Sequence, residues 1–243
     1  MRLLLPRTRR ASPRRDQPAR YLYRACRHPR DHPAAGAGRG VPFYAVQQRE
    51  GGWFGDWNPE SVLDLPHSTV LVVGVGAIGT EVARLLRPFG PRLIGTDARR
   101  EDPGPLHELH RPEALDELLP RADATVLALP HTPATDGLID RRRLALMRGF
   151  LVNVGRGPLV RTDDLVDALR DSRLRGAGPD VVDPEPLPRE HPLRAMPNVL
   201  ITPHIAGVGP GTDELRYGLL LDNARRLAEG EPLRNVVDKA AWY

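Results

Sequence analysis

Cysteine is nearly missing from this chain of 243 residues: Cys26 stands alone. A single thiol excludes an internal disulfide, so an apolar core must hold the fold, and such usage suits a reducing compartment. Long apolar runs are missing too. The start MRLLLPRTRR has three leucines before a proline, too few for a signal-peptide core, and nothing approaches the roughly 20 apolar residues of a membrane span. A soluble, cytoplasmic protein without a membrane partner is expected. Aromatic residues are 5% of the chain and no helical or finger motif for DNA is present, so nucleic acid is not the expected partner. His28, His32, His67, His107, His110, His131 and His191 stand at no metal-ligand spacing with the cysteine. His107 and His110 read as part of a polar, proline-bounded loop, and no metal site is expected.

Residues 1–40 lack lysine and glutamate; eleven arginines face two aspartates, a balance of +9. The whole chain carries +4, which leaves −5 on residues 41–243. The basic character therefore belongs to the leading segment and says little about the rest. That segment has no apolar periodicity, is broken by Pro6, Pro13, Pro18, Pro29 and Pro33, and reads as unstructured. The chain's 40% hydrophobic content suffices for a sizeable core in one large or two modest domains.

What is present is a regular alternation. TVLVV, RLIGTD, ATVLAL, FLVNV, GPDVV and NVLIT read as strands, separated by helical segments from Thr80, around Pro112 to Leu119, from Asp140, and over Asp163 to Leu169. This order predicts an α/β fold, a doubly wound parallel sheet of the Rossmann type. A further helix is predicted over Thr212 to Glu229, carrying Leu215, Leu219, Leu220 and Leu227, with Thr212 as N-cap and Gly230 as stop.

Between TVLVV and its helix lies the turn Gly74-Val75-Gly76-Ala77-Ile78-Gly79. Gly74 permits a tight turn, Gly76 lets a pyrophosphate approach the backbone, and Gly79 lets the helix pack on the strand with its N-terminus toward the anion. RLIGTD ends in Asp97, about 20 residues on, where an acid would meet ribose hydroxyls. The series predicts a dinucleotide site that prefers NAD to NADP, because a carboxylate repels a 2′-phosphate; the neighbouring Arg99 and Arg100 oppose that preference.

Three distant blocks, NVGRGPLV, DVVDPEPL and ITPHIAG, supply Arg156, Glu185 and His204. A hydroxy-acid or keto-acid site needs a cation for the carboxylate, a proton donor or acceptor at the oxygen-bearing carbon, and a group that holds the donor's charge state. A planar guanidinium grips a carboxylate in two places, and a carboxylate beside a histidine favours its protonated form. Each residue also has a plainer reading: His204 as a satisfied polar group at a strand end, Glu185 as a solvated turn between prolines, Arg156 as a turn residue between glycines. Their joint occurrence favours the chemical reading.

From about Phe43 to the C-terminus the chain resembles the D-isomer-specific 2-hydroxyacid dehydrogenases. The resemblance rests on VGVGAIGTEVARLL, LALPHTPATDGLID, LVNVGRGPLV, DVVDPEPL, ITPHIAG and GEPLRNVVD, in the family's order and close to its spacing. It implies an oxidoreductase that moves a hydride between NAD(H) and a small D-2-hydroxy acid or 2-keto acid. Arg156 would grip and polarise the substrate, His204 would be the acid/base, and Glu185 would pair with it. Gly74, Gly76, Ala77, Ile78, Gly79, Asp97, Leu129, Pro130, Val154, Gly155, Arg156, Asp180, His204 and Gly207 fall where the family meets the dinucleotide, with Asp180 expected near the nicotinamide carboxamide.

The family's flavodoxin-like substrate half-domain, which carries a dimerisation helix, is not recognisable ahead of the cofactor region. VPFYAVQQREGGWFGDW resembles the tail of that helix and its exit loop, and the basic segment has the arginine, proline and alanine bias of GC-rich DNA read out of frame. The expected organisation is a truncated or frame-shifted chain: a basic segment over 1–41, a remnant of the substrate and dimerisation region over 42–61, an NAD-binding domain over 62–206, and a helix with its return segment over 207–243. A homodimer is compatible with it. The alternatives are a non-catalytic dinucleotide-binding protein and an interaction protein that uses a natural basic tail. Two local departures add expectations of their own. The turn before the arginine strand is shortened to Met147-Arg148-Gly149-Phe150, so strand entry must differ, and Pro179 removes a ladder donor from its strand, which should weaken contacts near Asp180.

Overall fold

In a computed structural model of the chain, residues 38–52 and 62–239 are described. Nearly all of the basic segment, and with it the expectation that it is unstructured, lies outside the described residues. The chain runs α1 (Val41–Glu50), β1 (Thr69–Val73), α2 (Ala77–Leu86), β2 (Arg92–Thr96), β3 (Glu108–His110), α3 (Leu115–Leu118), β4 (Ala124–Leu127), α4 (Arg141–Leu146), β5 (Phe150–Asn153), α5 (Thr162–Arg170), β6 (Gly176–Pro179) and α6 (Thr212–Ala228). α1 stands where the helix remnant was expected, closed by Gly51 in the left-handed region at φ 79°.

The strands are all parallel, in the spatial order β3-β2-β1-β4-β5-β6. Both faces of the sheet are covered. Val70 and Val72 of β1 join Val82 and Ala83 of α2 on one face, while Leu71 and Val73 join Leu144 of α4 and Leu165 and Leu169 of α5 on the other. Because neighbouring residues of a strand point to opposite faces, burial on both sides makes each central strand one continuous apolar run, as TVLVV and FLVN are. This is the doubly wound Rossmann arrangement.

Several elements differ from the sequence reading. His107 to His110 was expected to be a loop, but β3 forms there, its entry fixed by the His107 N–H donating to the Leu93 carbonyl at 2.8 Å. Three residues are too few to show an alternating pattern. The helix expected around Pro112 to Leu119 is a single turn, α3, between two 3-10 turns that each carry a proline. α2 begins at Ala77 rather than Thr80. The N-cap of α6 is Gly211, left-handed at φ 80°, and Thr212 is its first helical residue, whose hydroxyl accepts the Gly209 N–H at 3.0 Å. Gly230, at φ 69°, ends the helix as expected.

NVLIT forms no strand, only a bridge between Ala177 and Val199. Ala177 N–H donates to the Asn198 carbonyl at 3.0 Å, Leu200 N–H to Ala177 at 2.9 Å, and Thr202 N–H to Pro179 at 3.2 Å. The rung between the last two would need an N–H on Pro179, and the ladder breaks there. The same alternation puts the Pro179 nitrogen on the side away from β5, so β5 and β6 pair in register from Phe150–Gly176 to Asn153–Pro179. The strand expected over GPDVV therefore ends at Pro179, and Asp180 is fixed beyond it by its N–H on the Asn153 carbonyl at 2.9 Å. Entry to β5 is direct: Gly149 lies against Asp123, whose carbonyl takes the Phe150 N–H at 2.9 Å. No described helix is long and apolar enough to cross a membrane.

Candidate active site

Most of the candidate residues lie just beyond the C-terminal ends of strands. Gly74 to Gly79 follow β1, Asp97 follows β2, Leu129 and Pro130 follow β4, Val154 to Arg156 follow β5, and Asp180 follows β6. β1 and β4 are the neighbours at which the strand order reverses, the place where open α/β sheets bind ligands.

The glycine turn has the geometry its residues require. Gly74 sits at φ 88°, and a Cβ there would come within 2.7 Å of the Leu129 side chain; at Gly79 a Cβ would stand 2.0 Å from the Gly74 carbonyl oxygen. Gly76 is different. It is the N-cap of α2, no side chain caps the helix, and nothing lies within 4 Å of where its Cβ would be. The first-turn N–H groups of α2 thus open onto space that an anion can enter, which fits a dinucleotide's pyrophosphate. Ile78 is partly exposed beside it. Asp97 holds the turn from the next loop: Oδ2 accepts the Val75 N–H at 2.9 Å, and Oδ1 accepts the Arg99 and Arg100 N–H groups at 2.8 and 2.9 Å. Three of its roughly four lone-pair sites are taken, which leaves one for a ribose hydroxyl.

Arg156 is presented by a loop that Asn153 folds. The buried Asn153 side chain accepts the Gly155 N–H at 3.0 Å and donates to the Arg156 carbonyl at 2.9 Å. The exposed guanidinium gives one N–H to the Gly155 carbonyl at 2.6 Å, and its remaining donors stay available to a carboxylate. Sequence reading passed over Asn153; the signal was an amide closing an otherwise apolar strand.

His204 and Glu185, 19 residues apart in sequence, meet at 2.7 Å between Nδ1 and Oε1. An ionised carboxylate only accepts, so Nδ1 carries the proton of this bond and Nε2 is the nitrogen left to exchange one with a substrate. The His204 loop is fixed by Asp180, a residue only 3% exposed. Its Oδ1 accepts the Thr202 hydroxyl at 2.5 Å and the Ile205 N–H at 3.0 Å, and its Oδ2 accepts the Ala206 N–H at 3.0 Å. His204 itself sits at φ 54°, a left-handed backbone that non-glycine residues seldom adopt without such anchoring. The loop carrying Glu185 is held by the Thr162 hydroxyl on the Asp183 carbonyl at 2.6 Å. Arg156 makes no hydrogen bond with His204 or Glu185. Gly207, past the histidine, has open space where a side chain would be. Thr202 and Thr162 also escaped the sequence reading, since nothing local in the chain marks a hydroxyl that bonds a residue some 20 positions away. Among the described residues no cluster of His, Cys, Asp and Glu could hold a metal.

Residues 34–206 match the model of the D-isomer-specific 2-hydroxyacid dehydrogenase NAD-binding domain. The chain is 34% identical to the human glyoxylate reductase/hydroxypyruvate reductase over 200 residues, 80% of this chain and 61% of that protein. Among solved structures it is similar to a D-isomer-specific 2-hydroxyacid dehydrogenase from Xanthobacter autotrophicus in complex with NADPH and MES (31% identity, TM-score 0.76, 93% of this chain and 88% of that chain). It is similar as well to a D-lactate dehydrogenase with NAD+ from Lactobacillus jensenii (26% identity, TM-score 0.76, 90% and 69%). The chain spans about three fifths of the length of the first curated relatives it matches.

Proposed function

From a chain that belongs to the D-isomer-specific 2-hydroxyacid dehydrogenase family by its NAD-binding domain, we propose an enzyme that moves a hydride between NAD(H) and a small 2-keto acid or its D-2-hydroxy acid. One observation carries this reading: the His204–Glu185 pair at 2.7 Å, on a loop pinned beside the open glycine turn's end of the sheet. The dinucleotide, when bound, supplies or takes up the hydride. Gly76, Ala77 and Ile78 would hold its pyrophosphate, Asp97 its adenosine ribose, and the loops at Leu129–Pro130 and Val154–Gly155 would line its path.

The protein's own groups do the rest. Arg156 binds the substrate carboxylate in two places and turns the carbonyl toward the hydride. His204 gives a proton to the carbonyl oxygen in reduction and takes it back in oxidation, and Glu185 stabilises the imidazolium between those steps. In this reading residues 62–206 are the cofactor unit and the helix Thr212–Ala228 would lead back toward the substrate side. NAD is the expected cofactor, because Asp97 meets the position of a 2′-phosphate.

A second reading, a dinucleotide-binding protein without turnover, rests on the glycine turn and Asp97, which would hold a cofactor without any part played by Arg156, Glu185 or His204. NADH oxidation with glyoxylate, hydroxypyruvate, pyruvate and phenylpyruvate separates the two. Turnover with any of them supports the enzyme; NADH binding with no turnover on the panel sinks it in favour of the second reading.

A further inference from the structure

We propose that Arg100 is a positioning residue for the glycine turn and holds the pyrophosphate site in shape, in place of the 2′-phosphate contact that its position beside Asp97 suggests. The proposal rests on the dinucleotide reading above. Its basis is where the guanidinium goes. Nη1 donates to the Val75 carbonyl at 3.1 Å and to the Thr80 hydroxyl at 2.5 Å. Nε bonds the Asp102 carbonyl, and Nη2 faces the Asp102 carboxylate at 3.7 Å. All three nitrogens are engaged, and the side chain is only 25% exposed.

Val75 stands between two glycines, so no flanking side chain fixes its peptide planes. Asp97 takes its N–H at 2.9 Å, and its carbonyl accepts from Arg100 at 3.1 Å and, more weakly, from the Thr80 hydroxyl at 3.3 Å, so the loop of Asp97 and Arg100 reaches both polar groups of this one residue. Thr80, in the first turn of α2, ties the same guanidinium to the helix whose N–H groups would meet the pyrophosphate. Turning Arg100 toward a 2′-phosphate would break all of these bonds. Held where it is, Arg100 affects any dinucleotide through the shape of the turn, whatever the ribose carries.

The test uses the full chain, with NADH and NADPH titrated by fluorescence and thermal melting in parallel. Arg100→Ala should raise both dissociation constants by a common factor of roughly 5 to 10, the cost of one lost buried acceptor contact, with their ratio unchanged within about twofold. Arg100→Lys, which keeps a donor for Val75 and Thr80, should recover most of the affinity. Thr80→Val should weaken both cofactors together by a smaller factor, and decides the matter if Arg100→Ala does not fold. Loss of NADPH binding alone would make Arg100 a phosphate ligand and overturn the proposal. So would a lowered melting temperature with both constants unchanged. A wild-type chain that binds neither dinucleotide would instead bring down the cofactor reading itself, and this proposal with it.

Discussion

Asp180 and His204 are tied through the main chain: the His204 N–H donates to the Asp180 carbonyl at 2.8 Å, while the Asp180 carboxylate collects the N–H groups of the next two residues and the Thr202 hydroxyl. A buried side chain at the end of β6 thus decides how the histidine stands. Asp180→Asn keeps the shape but turns an NH2 toward at least one of these donors, which costs about 1–3 kcal/mol for the group left unsatisfied. The expected result is a lower melting temperature and a turnover that falls more than NADH affinity does. Thr202→Ala should act in the same direction and more weakly. If NADH affinity falls first and turnover at saturating cofactor does not, Asp180 acts on the nicotinamide and not through the loop.

The pair His204–Glu185 and the separate Arg156 predict different kinetic signatures. If His204 is the proton donor proposed above, His204→Asn should slow reduction by roughly 100-fold to 10,000-fold, the range for a lost acid/base, while NADH binding persists. Glu185→Gln keeps a partner for Nδ1 but withdraws the charge, so its loss should be smaller. In a double substitution the effect of Glu185→Gln should largely vanish, since the two groups act as a unit. Arg156→Ala should chiefly raise the substrate requirement. Additive losses in the double variant would show that Glu185 acts independently of His204.

The glycine turn, the strand order and the meeting of His204 with Glu185 were legible because each is written locally or as a known succession of elements. Gly74 and Gly79 are required by contacts within a few residues of themselves or with the adjacent β4 loop, and Val70 to Val73 announce a strand buried on both faces. What escaped was either too short or too distant. β3 has three residues, and Thr162 and Thr202 act through bonds that only the folded chain brings together; Asn153 is the exception, since it bonds residues two and three positions ahead and its signal was local. Pro179 was legible as a broken rung, but which neighbour would lose the bond depended on the register. The loss falls on the Asn198–Thr202 side, which is why NVLIT fails as a strand while β6 stays paired with β5. Arg100 was read by its neighbourhood to Asp97, whereas its length lets it reach back to Val75 and Thr80.

Glu108 predicts an acid-sensitive sheet edge. Its carboxyl is held at about 2, below the ordinary 4.5, first by the Arg92 guanidinium and then by His110 and Arg121, with burial opposing them. A carboxyl lowered in the folded state contributes stability that is full above pH 4.5 and is lost as pH falls toward 2. Urea midpoints of the wild type and Glu108→Gln should therefore differ most at neutral pH and converge across that interval. A gap that stays constant down to pH 2 would mean that the ion cluster across β2 and β3 contributes nothing through its charge.

Asp97 and Arg99 make opposite claims on a 2′-phosphate, and salt tells them apart. Asp97 holds its place with three N–H bonds, so its charge is fixed where the proposed reading puts the ribose, while the Arg99 side chain lies on the exposed rim of the same loop. If repulsion by Asp97 governs the choice, NADH binds more tightly than NADPH at low salt. Raising the salt from about 0.1 M to about 1 M shortens the screening distance from roughly 10 to 3 Å and should narrow the ratio of the two dissociation constants, because NADPH loses a repulsion that NADH never felt. If attraction by Arg99 governs, the sign reverses: NADPH binds at least as tightly at low salt and weakens more steeply as salt is added. Tighter NADPH binding at low salt, with that steeper decline, would defeat the NAD preference and make Arg99 the residue that sets it.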